Sequence, residues 1–249
     1  RSGNIAIGIA SSRPLSEIKV FAEKYLGSIP RGERAHYIVD HESENKRVKD
    51  AAGKIFFIPR DIPQSTVLFL SPGVDIHNPT IDSLNVADQI LGGGDFNSKL
   101  MKEIREKRGL AYSTGSIIRT RDKTGLFMAY AQCDSDKTPQ VFSLMQDEVR
   151  ETAEGKIEED DLGLAKQSII RSYIFAFDTE LSVISRYLSL WYSGLPEDFL
   201  TGYPGRIEKV DRSSIAHAFD GLVKNGYVTI ILGREESVKN LKNVERISE

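Results

Sequence analysis

The chain has 249 residues, 40% of them hydrophobic and 28% charged, which is enough for one large domain or two small ones with a sizeable core. Its formal net charge of −3 gives no electrostatic case for a nucleic-acid partner. Apolar runs such as residues 67–70 are strand-sized, far short of the ~20 residues a membrane-crossing helix needs, and the single Cys133 excludes an internal disulfide.

Residues 4–10 (NIAIGIA) read as a short apolar strand. A polar turn at 11–14 follows, then a helix with Ile18, Phe21, Ala22 and Tyr25 on one face. Residues 30–53 are dense in Arg, Glu, Asp and Lys, with only residues 37–39 apolar, and read as a solvated, partly ordered linker. Residues 54–58 and 65–70 are expected strands, separated by a proline-bounded turn at 59–63. Helices are expected at about 80–91 and 97–108. A hairpin pairs 112–120 with 125–133, and Cys133 at its end is expected to be a buried structural thiol.

Three helices come next. Their stripes are Val141, Leu144, Met145 and Val149; Leu162, Ile169, Ile170, Tyr173 and Phe177; and Leu181, Ile184, Leu188 and Trp191. Trp191 and Tyr192 are expected in the core. The acidic run 158–161 sits at a helix start, where carboxylates complement the helix dipole. A further helix at 213–223 carries Ile215, Phe219 and Leu222. A closing strand at 227–233 and a short helix at 237–241 repeat the strand–helix plan of the N-terminus, offset by 223 residues (227 − 4). The expected fold class is α+β: a largely antiparallel sheet with helices packed on it.

The segment 91–113, LGGGDFNSKLMKEIREKRGLAYS, carries the most chemistry. Leu100, Met101 and Ile104 make a buried stripe, and Gly109 is placed as the left-handed residue that ends the helix. Arg105 then lies in the last turns of a helix and Tyr112 just beyond the reversal. A guanidinium fork and a phenol there suit the carbonyl oxygens of an extended peptide. From residue chemistry alone a structural account stands beside this one. Glu103 with Lys107, and Lys102 with Glu106, would lace a solvated helix face, and Gly92, Gly93 and Gly94 would be a flexible turn.

This segment resembles the second-domain signature of the pitrilysin and mitochondrial processing peptidase family, the inverzincin zinc metallopeptidases. Lys99 stands where that family often has arginine. The resemblance implies that Arg105 and Tyr112 are substrate-binding residues in the half that holds no zinc, reaching toward a peptide held by the catalytic half. The H-x-x-E-H motif of the zinc site is missing. The four histidines are His36, His41, His77 and His217, and the expected helix at 81–91 carries none of them. No metal site is therefore expected here; zinc is expected in an N-terminal catalytic half, in the same polypeptide or in a partner subunit.

Duplicated domains of about this length, as the resemblance implies, divide the chain into three. Residues 1–29 are the terminal strand–helix of a preceding homologous domain, 30–53 a linker and 54–249 the non-catalytic domain. The expected chain is thus part of a longer protein. Its substrate is a peptide or unfolded polypeptide, no nucleic acid or membrane is expected as a partner, and its compartment is left open. The alternative is a zinc-less scaffold or assembly subunit of the same fold.

Overall fold

The computed structural model describes Gly3, residues 5–33 and residues 40–247; the apolar run 37–39 and His36 lie outside them. Two compact units emerge, a larger one of His41–Ile170 and Pro204–Glu249 and a smaller one of Arg1–Asp40 and Arg171–Tyr203.

In the smaller unit, residues 5–10 take no regular secondary structure, unlike the expected strand. No ladder partner stands beside them among the described residues, and an unpaired strand has nothing to fix it. Gly8 lies so close to a helix that a Cβ there would meet Ile184 Cγ2 at 2.5 Å. Helix α1 (Leu15–Leu26) forms as expected, yet buries no residue. The unit also holds the end of α5 (Glu159–Phe175), together with α6 (Glu180–Tyr192) and the short α7 (Asp198–Thr201). Thr179 caps α6 by accepting the Ser182 N–H at 3.1 Å. Arg186 ties the preceding turn down, donating from Nε to the Ala176 carbonyl at 2.8 Å and lying over the rings of Tyr173 and Phe177. The stripe expected on α6 is not a core face. Leu181 and Trp191 are 72% and 66% exposed, and Tyr192 is exposed too. Helical spacing alone does not say whether an apolar stripe has a partner.

The larger unit is built on a six-stranded sheet in the order β3-β4-β2-β5-β1-β6. Helix α2 (His41–Asp50) precedes it, so part of the expected linker is helical, with Val48 its one apolar residue. Strands β1 (Ile55–Pro59), β2 (Gln64–Pro72), β3 (Ala111–Thr120), β4 (Gly125–Asp134) and β5 (Val228–Gly233) fall where their apolar runs predict. Strand β6 (Val244–Arg246) replaces nothing foreseen. The expected helix at 237–241 is instead a 3-10 turn, Glu235–Val238, before Asn240 and Asn243 turn the chain through positive φ. The β2–β4, β2–β5 and β3–β4 pairings are antiparallel, while β1 runs parallel to β5 and β6.

Helices α3 (Ile81–Asp88), α4 (Thr138–Ala153), most of α5, α8 (Tyr203–Glu208) and α9 (Arg212–Val223) complete this unit. One sheet face packs on helices. Phe69 of β2 meets Phe142 of α4 edge-on at 5.5 Å, Phe127 of β4 meets Phe219 of α9 at 5.2 Å, and the Ser71 hydroxyl donates to the Leu222 carbonyl at 2.7 Å. Val67, Phe69, Phe127, Ala129, Ala131, Cys133 and Ile231 on this face are fully buried. Cys133 is thus a buried thiol; burial pushes its pKa up. The acidic start of α5 is in place at Glu159, Asp160 and Asp161.

Candidate functional site

Helix α3 does not stop at its last regular turn. It widens into a π-helical turn, Gln89–Gly93, and a second π-helical stretch, Met101–Glu106, follows the 3-10 turn Asp95–Asn97. Widened turns of this kind are uncommon and cluster at functional sites. Leu91, Leu100 and Ile104 are fully buried and Met101 nearly so, which anchors both π segments to the core.

The glycine run is packed, not free. A Cβ on Gly92 would sit 2.2 Å from Ser116 N and 2.5 Å from Gly115 C, both backbone atoms of β3. On Gly94 it would sit 2.4 Å from the Gln89 carbonyl oxygen, and on Gly93 3.0 Å from the Asp88 carboxylate. Gly92 presses the turn against β3, where Gly115 also lacks a side chain, while Gly93 and Gly94 fold back on the turn that precedes them. Ser116 Oγ donates to Asp88 Oδ1 at 2.6 Å across this contact. Burial raises the Asp88 pKa, against the lowering effects of the Ser116 hydroxyl and the Ile118 N–H.

The second π segment ends as the sequence predicts. Gly109 has φ of +61°, its N–H returns to the Arg105 carbonyl at 2.9 Å, and the Leu110 N–H returns to the Ile104 carbonyl at 2.9 Å. This reversal feeds the edge strand β3. Ala111 pairs with Cys133 and Ser113 with Gln132, so Tyr112 is an extra residue, a bulge at the strand's first turn. The bulge turns Tyr112 outward, where it is 54% exposed. Its hydroxyl donates to Asp134 Oδ1 at 2.9 Å, and that bond raises the phenol pKa, so the group remains a protonated donor at neutral pH.

The cations of the segment sort into two kinds. Lys99 lies between Glu148 and Glu151 at 3.5 and 3.4 Å, with the Lys99 and Glu148 side chains only 13% and 11% exposed. Lys102 reaches Asp161 at 2.8 Å rather than the expected Glu106. Lys107 and Arg108 both bind Glu103, whose pKa they lower. Arg105 alone of the five is in no ion pair among the described residues. It is exposed, lies over the Phe96 ring at 5.6 Å and points Nη1 at Met101 Sδ at 3.7 Å. No hydrogen bond joins Arg105 to Tyr112; each borders the Gly109 reversal from its own side. Asp134 was missed by sequence reasoning, because only the hairpin register brings it to Tyr112.

No group of three or more His, Cys, Asp or Glu among the described residues is placed to hold a metal ion. Helix α3, which the resemblance sets against the zinc-binding helix, carries Leu84, Val86 and Ala87 as its buried face and no imidazole. The described residues do not fit a zinc site. No helix of the described residues is long and apolar enough to cross a membrane.

Residues 1–169 match the family described as Peptidase M16 inactive domain, and the chain belongs to that family. It is 31% identical over 141 residues to an uncharacterized zinc protease of Streptomyces coelicolor, covering 57% of this chain and 30% of that protein. It is 27% identical over 175 residues to an uncharacterized zinc protease of Rickettsia felis, covering 70% and 40%. The matched part thus spans well under half the length of those relatives. Among solved structures, a peptidase M16 inactive domain from Pseudomonas fluorescens aligns with a TM-score of 0.77 at 22% identity, covering 89% of this chain and 52% of that one. A protease from Helicobacter pylori aligns at 0.72 and 14% identity, covering 89% and 53%. At such identities the likeness is one of fold.

Proposed function

We propose that this chain is the substrate-clamping half of a zinc-dependent peptidase, closing the cleavage chamber over an extended peptide. One observation carries the reading. In a segment whose other four cations are ion-paired, Arg105 is exposed and in no ion pair among the described residues, seven positions before the Tyr112 that a bulge turns outward. A solvated guanidinium with open N–H donors suits peptide carbonyls. The Tyr112–Asp134 pair adds a donor and an acceptor side by side: if the hydroxyl rotates to a peptide carbonyl, the Asp134 carboxylate is freed to accept a peptide N–H. Gly92 fixes this edge by packing on β3, with Gly93 and Gly94 closing the turn behind it.

The catalytic half, in the same polypeptide or a partner subunit, would contribute zinc to polarise the scissile carbonyl and a glutamate to activate water. Residues here would position the backbone and stabilise charge that develops on it. In this reading residues 1–29 belong to a preceding homologous domain, 30–53 link it and 54–249 form the clamp. The exposed apolar side chains of the smaller unit, among them Ile5, Ile7, Ile9, Phe21 and Trp191, support a further domain lying against it.

The test is cleavage of a quenched fluorescent peptide library by the full polypeptide, or by this chain reconstituted with a catalytic half, before and after zinc chelation. Arg105→Ala and Tyr112→Phe are each expected to lower kcat/KM at least tenfold with the melting temperature unchanged. Full activity in either variant would refute the clamp. Absence of any cleavage by a folded, zinc-loaded sample would favour a scaffold subunit.

A further inference from the structure

Phe96 follows the glycine run in a turn that its neighbours fix. Leu91 before it, and Ser98 and Leu100 after it, are fully buried, so both ends of the turn are anchored. The 3-10 turn Asp95–Asn97 closes with the Asn97 N–H donating to the Gly94 carbonyl at 3.1 Å. A side chain at Gly94 would collide with the Gln89 carbonyl oxygen, 2.4 Å from its Cβ, so the tight return needs glycine. Residue 96 is thereby carried outward. At 61% exposure, Phe96 is the most exposed large apolar side chain of the larger unit among the described residues. A single apolar side chain on a surface is ordinary. What this one touches decides its role.

Arg105 lies over the Phe96 ring, with Cζ 5.6 Å from the centroid, and its Nη1 points at Met101 Sδ at 3.7 Å. The ring attracts the cation through its π face and offers no acceptor atom that a peptide carbonyl would have to displace. The thioether is only a weak acceptor. The neighbouring cations show the other way to order such a group. Glu103 binds Lys107 and Arg108, and Asp161 binds Lys102, in each case through the N–H donors themselves. A carboxylate on Arg105 would order it too, but would compete with peptide for its donors. With no partner at all, a long side chain loses its full rotamer freedom when peptide binds. An aromatic partner orders the guanidinium and leaves its charge and its donors open.

We propose that Phe96 is the positioning residue of the clamp, its ring holding the Arg105 guanidinium in place so that the N–H donors meet a peptide carbonyl. The inference rests on the clamp reading and adds to it the residue through which the glycine turn acts on Arg105. Direct contact between the ring and the peptide is the account the test must separate from it.

The experiment is a double-mutant cycle in the full polypeptide, read as kcat/KM on a quenched fluorescent decapeptide that the parent cleaves, with melting temperatures alongside. Phe96→Leu keeps apolar bulk and removes the ring. It is expected to lower kcat/KM about threefold to fivefold, the range of an exposed cation–π contact, with the melting temperature unchanged. Phe96→Trp, which restores a ring, should stay within about twofold of the parent. In the Arg105→Ala background, Phe96→Leu should cost nothing further, because its effect runs through the guanidinium. Unchanged kcat/KM in Phe96→Leu, with Arg105→Ala still impaired, would overturn this inference and spare the clamp. An equal loss from Phe96→Leu in both backgrounds would overturn it in favour of direct contact with the peptide. A loss in Phe96→Trp as large as in Phe96→Leu would overturn it as well. Full activity in Arg105→Ala would overturn both the clamp and this inference.

Discussion

Replacing Gly92 with alanine separates a packed glycine turn from a flexible one. A Cβ at this position would lie 2.2 Å from Ser116 N and 2.5 Å from Gly115 C, so something must move by more than 1 Å to reach ordinary van der Waals separation. The atoms in the way are backbone of β3, which is held on one side by β4 and on the other by the Ser116–Asp88 hydrogen bond. No flexible side chain can swing aside. Overpacking of this severity falls at the top of the usual range, about 3 kcal/mol, and alanine's better helix propensity returns at most about 1 kcal/mol. The net loss is about 2 kcal/mol, which for a chain of this length lowers the melting temperature by about 4–8 °C. Gly163 supplies the control. It lies inside α5 with open space where a Cβ would go, so Gly163→Ala should gain up to about 1 kcal/mol and raise the melting temperature by about 2–4 °C. Far-UV circular dichroism melts of both variants against the parent decide the matter. A Gly92→Ala protein that melts at or above the parent would refute the close approach and return the run to a mobile hinge.

Asp88→Ala leaves the buried Ser116 hydroxyl without its carboxylate, and a loss of about 1–3 kcal/mol in chemical denaturation is expected; an unchanged midpoint would show that the bond does not pin the turn. The pH dependence follows from Glu148, whose pKa is raised by burial more than Lys99 lowers it. A carboxyl raised in the folded state binds more protons there than in the unfolded chain, so stability falls as pH rises from the ordinary value of 4.5 through the raised one. Glu148→Gln should therefore gain on the parent as pH rises across that window and then level off, while Lys99 keeps Glu151; melts from about pH 4 to pH 7 that run parallel would contradict this. Asp134→Asn should lower the Tyr112 phenol pKa, because the charged acceptor that raises it is gone; an unchanged phenolate absorbance titration would contradict the bond.

Most of the sheet was legible because the strands are apolar runs bounded by turn residues, and the helix-facing residues obeyed their period. The losses have physical causes. Residues 5–10 read as a strand, but a strand is defined by its partner, and none is present among the described residues. Trp191 sits at the same helical spacing as a core residue, and spacing cannot register that the neighbouring surface is open. Strand β6 is three residues long, of which two are charged, and it exists because β1 presents an edge for it to pair with.

The candidate site shows the same limit more sharply. Seven residues separate Arg105 from Tyr112, and a regular helix followed by a regular strand would fix where both point. Neither element is regular. The first is a π-helical stretch in which Lys102 serves Asp161 rather than the expected Glu106, while the Glu103–Lys107 pair forms. The bulge then inserts Tyr112 between Ala111 and Ser113, which turns an inward–outward alternation into an exposed phenol. Each irregularity traces to neighbours distant in sequence. Gly92 requires Gly115 and Ser116 beneath it, and the bulge requires Cys133 and Gln132 across from it. Residue types suggested an edge suited to a peptide; tertiary packing decides which cation is in no ion pair there among the described residues. The proposed clamp rests on Arg105, and not Lys99 or Arg108, being the cation in no ion pair among the described residues.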